Sequence, residues 1–199
     1  MGDIVRANIG WQEWAAVGAH IVRPVNSDLG PISTAVGILG MPGMTAYFGL
    51  LEVLKPRAGD TLVVSAASGA VGAVVGQIGK LNGCFVIGVA GSEEKCDWLV
   101  NELGYDIAIN YKDSDWYDQL VAAAPDKLNF IFDNVGGEVL DLSLKHIAMR
   151  GMVLLCGSTS QYAQEEIRGP DNYIWLGTMR ARMQGYVIFD YADQYEEAR

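Results

Sequence analysis

From residue 60 onward the sequence alternates short apolar runs with longer amphipathic ones. TLVVSA, CFVIGVA, DIAINY, LNFIFDNV and MVLLCG have the length and β-branched content of strands, and GAVGAVVGQIGKLNG, SEEKCDWLVNELG, SDWYDQLVAAA and EVLDLSLKHIA between them have helical spacing. Strands joined through helices by short connections pair in parallel, and right-handed crossovers distribute the helices over both faces of the sheet. The central strands are nearly continuous in apolar residues, as strands covered on both faces must be. The pattern predicts an α/β fold, a doubly wound parallel sheet.

The flanks are less regular. IVRANIG, WQEWAAV and HIVRPV, within the first 30 residues, read as strands or irregular connections. ISTAVGILGMPGMTAYFGLLEVL is broken at Gly40, Pro42 and Gly43, which predicts a helix, a turn and a second helix ending before Lys55-Pro56. Residues 161–180 are polar, with a short helix expected around Asn172 to Thr178. RMQGYVIFDY reads as a last strand, and DYADQYEEAR as the start of a helix without obvious packing, so a larger parent chain is expected.

Half of the 199 residues are apolar, enough for one sizeable core. The formal charge of -10 argues against a surface built to hold nucleic acid or anionic lipid. Cys84, Cys96 and Cys156 are widely spaced, and neither they nor His20 and His146 form a metal-ligand pattern, so no disulfide framework and no metal are expected. No stretch is apolar over the length of a membrane span and the N-terminus lacks a basic-then-apolar signal, which makes the cytoplasm the expected location.

Ala66-Ala67-Ser68-Gly69-Ala70-Val71-Gly72 follows the first strand of the alternation and opens a helix. Small side chains there let a dinucleotide pyrophosphate approach, and the helix start offers unpaired N–H groups and the positive end of its dipole. The spacing AxxGxxG departs from GxGxxG, and a glycine-rich packing helix without ligand is the competing reading. No GKS or GKT closes the turn, which disfavours a P-loop. Beyond the second strand lie Glu93 and Glu94, which suit either a ribose hydroxyl or a helix first turn. Lys95 and Tyr111 suit a 2'-phosphate, and the balance leans to NADP. Ligands in such sheets lie beyond the carboxyl ends of the strands. The loops there are Asp133 to Gly137, where Asn134 can position a ribose or amide, and Cys156 to Tyr162, rich in hydroxyls. The serine, tyrosine and lysine arrangement of a short-chain dehydrogenase is absent, as is a Cys/His/Glu constellation for a Lewis-acid metal.

GMPGMTAYFGLLEV, VVSAASGAVGAVVGQIGKLNGC, GSEEK, INYK, FDNVGGEVLD and LLCGSTSQY together resemble the zinc-independent medium-chain dehydrogenases/reductases, in particular the leukotriene B4 12-hydroxydehydrogenase/prostaglandin reductase group. The resemblance implies a Rossmann-type NADP-binding domain over residues 36–199, truncated at its C-terminus, preceded in residues 1–35 by the remnant of a truncated GroES-like catalytic domain. It implies NADP(H) held by Gly69, Ala70, Val71 and Gly72 at the pyrophosphate and by Lys95 and Tyr111 at the 2'-phosphate. Asn134 and the loop Cys156, Gly157, Ser158, Thr159, Ser160, Gln161 and Tyr162 would line the cofactor. Thr45 and the segment Tyr186, Val187 and Ile188 would meet its nicotinamide end. Tyr162 is the candidate for orienting the cofactor or a substrate oxygen. The implied reaction of the intact parent is hydride transfer from NADPH to the β-carbon of an α,β-unsaturated ketone or aldehyde. A quinone substrate and a non-catalytic NADP-binding module are the alternatives. A homodimer is implied too, with the strand near Tyr186 to Phe189 as a contact that would cover an open sheet edge.

Overall fold

In the computed structural model, which describes residues 2–198, the expected alternation forms one six-stranded parallel sheet. A separate two-stranded antiparallel pair, β1 (Val5–Arg6) and β2 (Arg23–Pro24), precedes it. The main strands are β3 (Thr61–Ser65), β4 (Phe85–Ala90), β5 (Ile107–Asn110), β6 (Leu128–Asp133), β7 (Ile147–Leu155) and β8 (Arg182–Gly185). Their spatial order is β5-β4-β3-β6-β7-β8. The chain therefore winds outward from β3 to β5, returns to the other side of β3, and winds outward again to β8. The order reverses between β3 and β6, where crossovers leave in opposite directions and open a crevice at the carboxyl ends.

Alternate residues of each central strand feed two cores. Leu62 and Val64 of β3 and Val86 of β4 pack with α1 (Met41–Phe48), α2 (Gly72–Leu81) and α3 (Glu93–Asn101) through Ala46, Val75 and Leu99. Val63, Ile87 and Val89 face the other way, onto α4 (Trp116–Ala123), α5 (Gly137–Lys145) and α6 (Ile174–Met179). That two-sided burial is why these strands show no polar alternation. No helix among the described residues is long and apolar enough to cross a membrane.

The flanks depart from expectation in three places. ISTAVGILG was expected to be a helix and instead forms one short 3₁₀ helix, Ile32–Val36, closed off by Gly37. The break expected at Pro42 and Gly43 is the first turn of α1, where proline costs no hydrogen bond. α1 then widens into a π-helical segment, Gly49–Leu54, which ends at Lys55 with φ of 55°. A Cβ at Gly49 would lie 2.9 Å from side-chain atoms of Phe132 and Leu154, so this segment rests directly on the sheet. Third, the strand expected over RMQGYVIFDY ends at Gly185, and Ile188–Gln194 is 3₁₀. Ile188 turns back to pack with Met44 and Phe48, and burial of that side chain outweighs continued pairing at a sheet edge.

Candidate functional site

At the end of β3 the chain makes a tight turn through Ala66, whose φ is 47°, and Ala67 is tied to β4 by donating its N–H to the Val89 carbonyl at 3.0 Å. Gly69 donates to the Ala66 carbonyl at 2.9 Å, and α2 starts at Gly72. A Cβ on Gly72 would collide with the Ala66 carbonyl oxygen and lie 2.8 Å from Ala67 Cα, so only glycine lets α2 begin so close to the strand end. Gly79 packs on the sheet, within 2.9 Å of Leu62 for an added Cβ. Gly76 instead makes room for the ring of Tyr105, whose hydroxyl donates to the Gly72 carbonyl at 2.7 Å. No side chain caps α2 and its first turn carries no acidic residue. The N–H groups of Ala73, Val74 and Val75 already donate to the Gly69 and Val71 carbonyls, which leaves those of Ala70, Val71 and Gly72, at the positive end of the helix dipole and beside exposed Gly69 and Ala70, as donors for an anion.

Across the strand-order reversal, the end of β6 forms a buried polar hub. Asp133, 1% exposed, accepts from Ser65 Oγ at 2.8 Å, from the Gly136 N–H at 2.9 Å and from the Val135 N–H at 3.2 Å. Burial pushes its carboxyl above the ordinary range, while those donors pull it back down. Ser65 also accepts the Asn134 N–H at 2.8 Å, and Asn134 Nδ2 donates to the Ser65 carbonyl at 2.8 Å. Asn134 is thus fixed against β3 with its amide oxygen left over as an acceptor. Gly136 and Gly137, with φ of 70° and 57°, turn the chain into α5 in a region that side chains resist. The loop after β7 is knitted to the same turn. Cys156 N–H donates to the Asp133 carbonyl at 2.8 Å, Thr159 N–H to the Asn134 carbonyl at 3.3 Å, and Ser160 Oγ to the Val135 carbonyl at 2.7 Å. Cys156 is pushed up to about 11, by burial first and then by the Asp133 carboxylate, so it is a neutral thiol at physiological pH.

At the ends of β4 and β5, Ser92 caps α3 by accepting the Lys95 N–H at 3.4 Å. Lys95 lies exposed in the first turn. The Tyr111 ring lies over Gly91, where an added Cβ would be 2.9 Å from Cε1 and 3.1 Å from the hydroxyl. Glu93 is engaged elsewhere, accepting from Asn110 Nδ2 at 3.1 Å.

A cavity of about 430 Å³ lies over the strand ends, lined by Ala66, Val89, Tyr111, Val135, Thr159 and Ser160, among others. A second, of about 320 Å³, shares Gly136 with it and reaches Cys156, Gly157, Ser158, Gln161 and Tyr162. Of the sequence-predicted residues, Tyr111, Thr159 and Ser160 line the first cavity and Cys156, Gly157, Ser158, Gln161 and Tyr162 the second, while Gly69 to Gly72, Lys95 and Asn134 follow the ends of β3, β4 and β6 without lining either. Tyr162 is largely exposed, with its hydroxyl 3.5 Å from the Ser158 N–H. Thr45 is buried in α1 and donates its hydroxyl to the Met41 carbonyl at 2.7 Å. Tyr186 packs beside Tyr191, with ring centroids 5.9 Å apart, and burial pushes its phenol up. Val187 is exposed and Ile188 buried. Neither Thr45 nor these three line the cavities over the strand ends. A larger cavity of about 520 Å³, between Arg6, Arg23, Leu29 and Tyr195, contains no sequence-predicted residue. Sequence reasoning missed Ser65, Asp133 as a hub, and Asn110. The available signal was a polar residue at the carboxyl end of each of three apolar strands.

The family model described as "Zinc-binding dehydrogenase" matches residues 70–198. The 2-alkenal reductase (NADP(+)-dependent) of Nicotiana tabacum is 44% identical over 98% of this chain and 57% of its own length. Prostaglandin reductase 1 of Oryctolagus cuniculus is 46% identical over 81% of this chain and 47% of its own. Among solved structures, CurA from Vibrio vulnificus in complex with NADPH superposes with a TM-score of 0.78 at 46% identity, covering 83% of this chain and 51% of CurA. The chain thus spans about half to three fifths of the length of these relatives. Among the described residues, no group of three or more His, Cys, Asp and Glu is placed to hold a metal ion. By matched length and by the identity of its relatives, the chain belongs to the zinc-binding dehydrogenase family of medium-chain dehydrogenases/reductases, within its prostaglandin reductase group.

Proposed function

We propose that these residues form the NADP(H)-binding part of a reductase that saturates the carbon-carbon double bond of α,β-unsaturated ketones or aldehydes. The observation that carries the cofactor half is the uncapped start of α2, cleared by Gly72, at the strand-order reversal. The names of the alkenal and prostaglandin reductases, and the NADPH in CurA, support the choice of cofactor and substrate class.

In this reading the turn Gly69, Ala70, Val71 and Gly72 receives the pyrophosphate, Gly69 by leaving room for it and Ala70, Val71 and Gly72 through their backbone N–H groups, since that of Gly69 is held by the Ala66 carbonyl. Lys95 and Tyr111 take the 2'-phosphate as a cation and a phenolic donor, and Asn134 offers its free amide oxygen. The Cys156 to Tyr162 loop shields the site from water, and its shape is set by the hydrogen bonds to Asp133, Asn134 and Val135. Thr45, Tyr186, Val187 and Ile188 meet the nicotinamide end. NADPH held by these residues would supply a hydride for the β-carbon of the substrate double bond, the α-carbon taking up a proton. Tyr162 orients the cofactor or the substrate oxygen. The strand expected near Tyr186 to Phe189 as the dimer contact ends at Gly185, so the edge open to a second copy in this reading is that of β8, and the protein works in the cytoplasm.

The test is NADPH oxidation by the full-length protein with a medium-chain enone and, separately, a quinone. Enone-dependent turnover well above quinone turnover is expected. A preference for the quinone overturns the substrate assignment, and tight NADPH binding without turnover on either points to a non-catalytic module.

A further inference from the structure

β5 ends in Asn110, and both donors of its side-chain amide are committed to carboxylates. Nδ2 lies 3.1 Å from Glu93 Oε1 and 3.1 Å from Asp113 Oδ1. The amide oxygen accepts the Lys112 N–H at 3.2 Å, which fixes the direction in which the amide points. Asn110 thus bridges the first residue of α3 and the turn after β5, directly beside Tyr111. The surroundings are acidic. The Cys96 thiol, on the inner side of the same helix turn, is raised by burial first and then by Glu93, Asp113 and Asp97.

Glu93 occupies the place, just beyond the second strand of the alternation, from which a carboxylate accepts the ribose hydroxyls of an unphosphorylated adenosine. Directed at the ribose, that carboxylate would favour a 2'-hydroxyl and repel a 2'-phosphate. Directed at Asn110, it does neither. We infer that Asn110 is a specificity-determining residue: by holding Glu93 and Asp113 against the end of β5, it leaves the adenosine pocket to Tyr111 and Lys95 and thereby selects NADPH over NADH. The inference rests on the location of the 2'-phosphate subsite given under the proposed function. It adds a positioning role for a side chain that touches no cofactor atom in that reading.

The experiment is calorimetric titration of the full chain with NADPH and with NADH, for the wild type, Asn110→Ala, Glu93→Gln, the double variant and Lys95→Ala. Asn110→Ala is expected to weaken NADPH binding roughly tenfold, the scale of one hydrogen bond to a charged group, without a matching loss for NADH. Glu93→Gln alone is expected to leave NADPH binding within about twofold of wild type, and in the double variant to restore most of the loss. That rescue separates the inference from a plain structural effect, because a turn distorted by loss of the Lys112 contact is not repaired by removing a charge on α3. An unchanged NADPH/NADH ratio in Asn110→Ala, or a loss that persists in the double variant, overturns the inference. Lys95→Ala tests the subsite itself. A ratio that shifts with Lys95→Ala but not with Asn110→Ala leaves the subsite standing and removes the role of Asn110, whereas a ratio unmoved by Lys95→Ala removes the subsite as drawn.

Discussion

At the residue scale, the site depends on a few buried polar atoms whose partners are fully determined. Ser65 donates to Asp133 and accepts from Asn134, so Ser65→Ala leaves a buried carboxylate and a backbone N–H each short of a partner. A loss of about 1–3 kcal/mol in urea unfolding is expected, together with weaker NADPH binding, and a variant as stable as wild type contradicts the hub. Asp133 also sets a pH dependence. Its carboxyl is raised by burial above the ordinary value of 3.8. The folded protein therefore keeps that proton to higher pH than the unfolded chain. The group's contribution to stability is full below 3.8 and is lost as pH rises through the raised value. In urea titrations across that window, Asp133→Asn should lose this component, so that its stability relative to wild type improves with increasing pH. A difference constant with pH contradicts the assignment. Cys156, pushed up to about 11, should carry about one thiolate per thousand molecules at pH 8. Alkylation of the native protein by iodoacetamide should spare it on the timescale that labels a free thiol, and rapid labelling would show that it is activated.

At the element scale, the alternation of strand and helix was legible because apolar runs and helical periods are local signals. Every expected strand from TLVVSA to MVLLCG formed, and the helix expected over SEEKCDWLVNELG is α3, with Glu93 and Glu94 in its first turn. What the sequence could not convey were tertiary partners. Gly76 reads as part of a small helix face directed at the sheet, yet its space is taken by Tyr105, a residue 29 positions away. Replacing a helical glycine by alanine ordinarily stabilises by about 1 kcal/mol. Here the added methyl would displace the Tyr105 ring and break its bond to the Gly72 carbonyl. Gly76→Ala should therefore lower stability, by about 1–3 kcal/mol as in overpacked cores, measurable as a drop in Tm. A rise in Tm would contradict this packing. The shortened β8 has the same origin, because the burial of Ile188 beneath α1 is a long-range contact that no periodicity reveals.

At the scale of the whole molecule, the winding of the sheet decides where chemistry can occur. The carboxyl ends of β3 and β6 gather residues separated by nearly 70 positions, such as Ser65 and Asp133 at 2.8 Å. The Gly69 to Gly72 turn and the two hydroxyl-rich loops were legible as a cofactor rim because they follow strands. The frame holding them was not, since Ser65 and Asp133 acquire meaning only when β3 and β6 become neighbours. The outer edge of β8 is unpaired within the described chain, and the proposed pairing with a second copy predicts a concentration-dependent dimer in sedimentation. A monomer that persists at high concentration in the full-length protein contradicts that contact. The central claim, an NADP(H) site at the strand-order reversal, is tested most directly by a crystal structure of the protein with NADPH. The pyrophosphate is expected at the Gly69 to Gly72 turn, on the N–H groups of Ala70, Val71 and Gly72, and the 2'-phosphate against Tyr111 and Lys95. A pyrophosphate seated elsewhere, or a 2'-phosphate facing solvent while Glu93 holds the ribose, would contradict it.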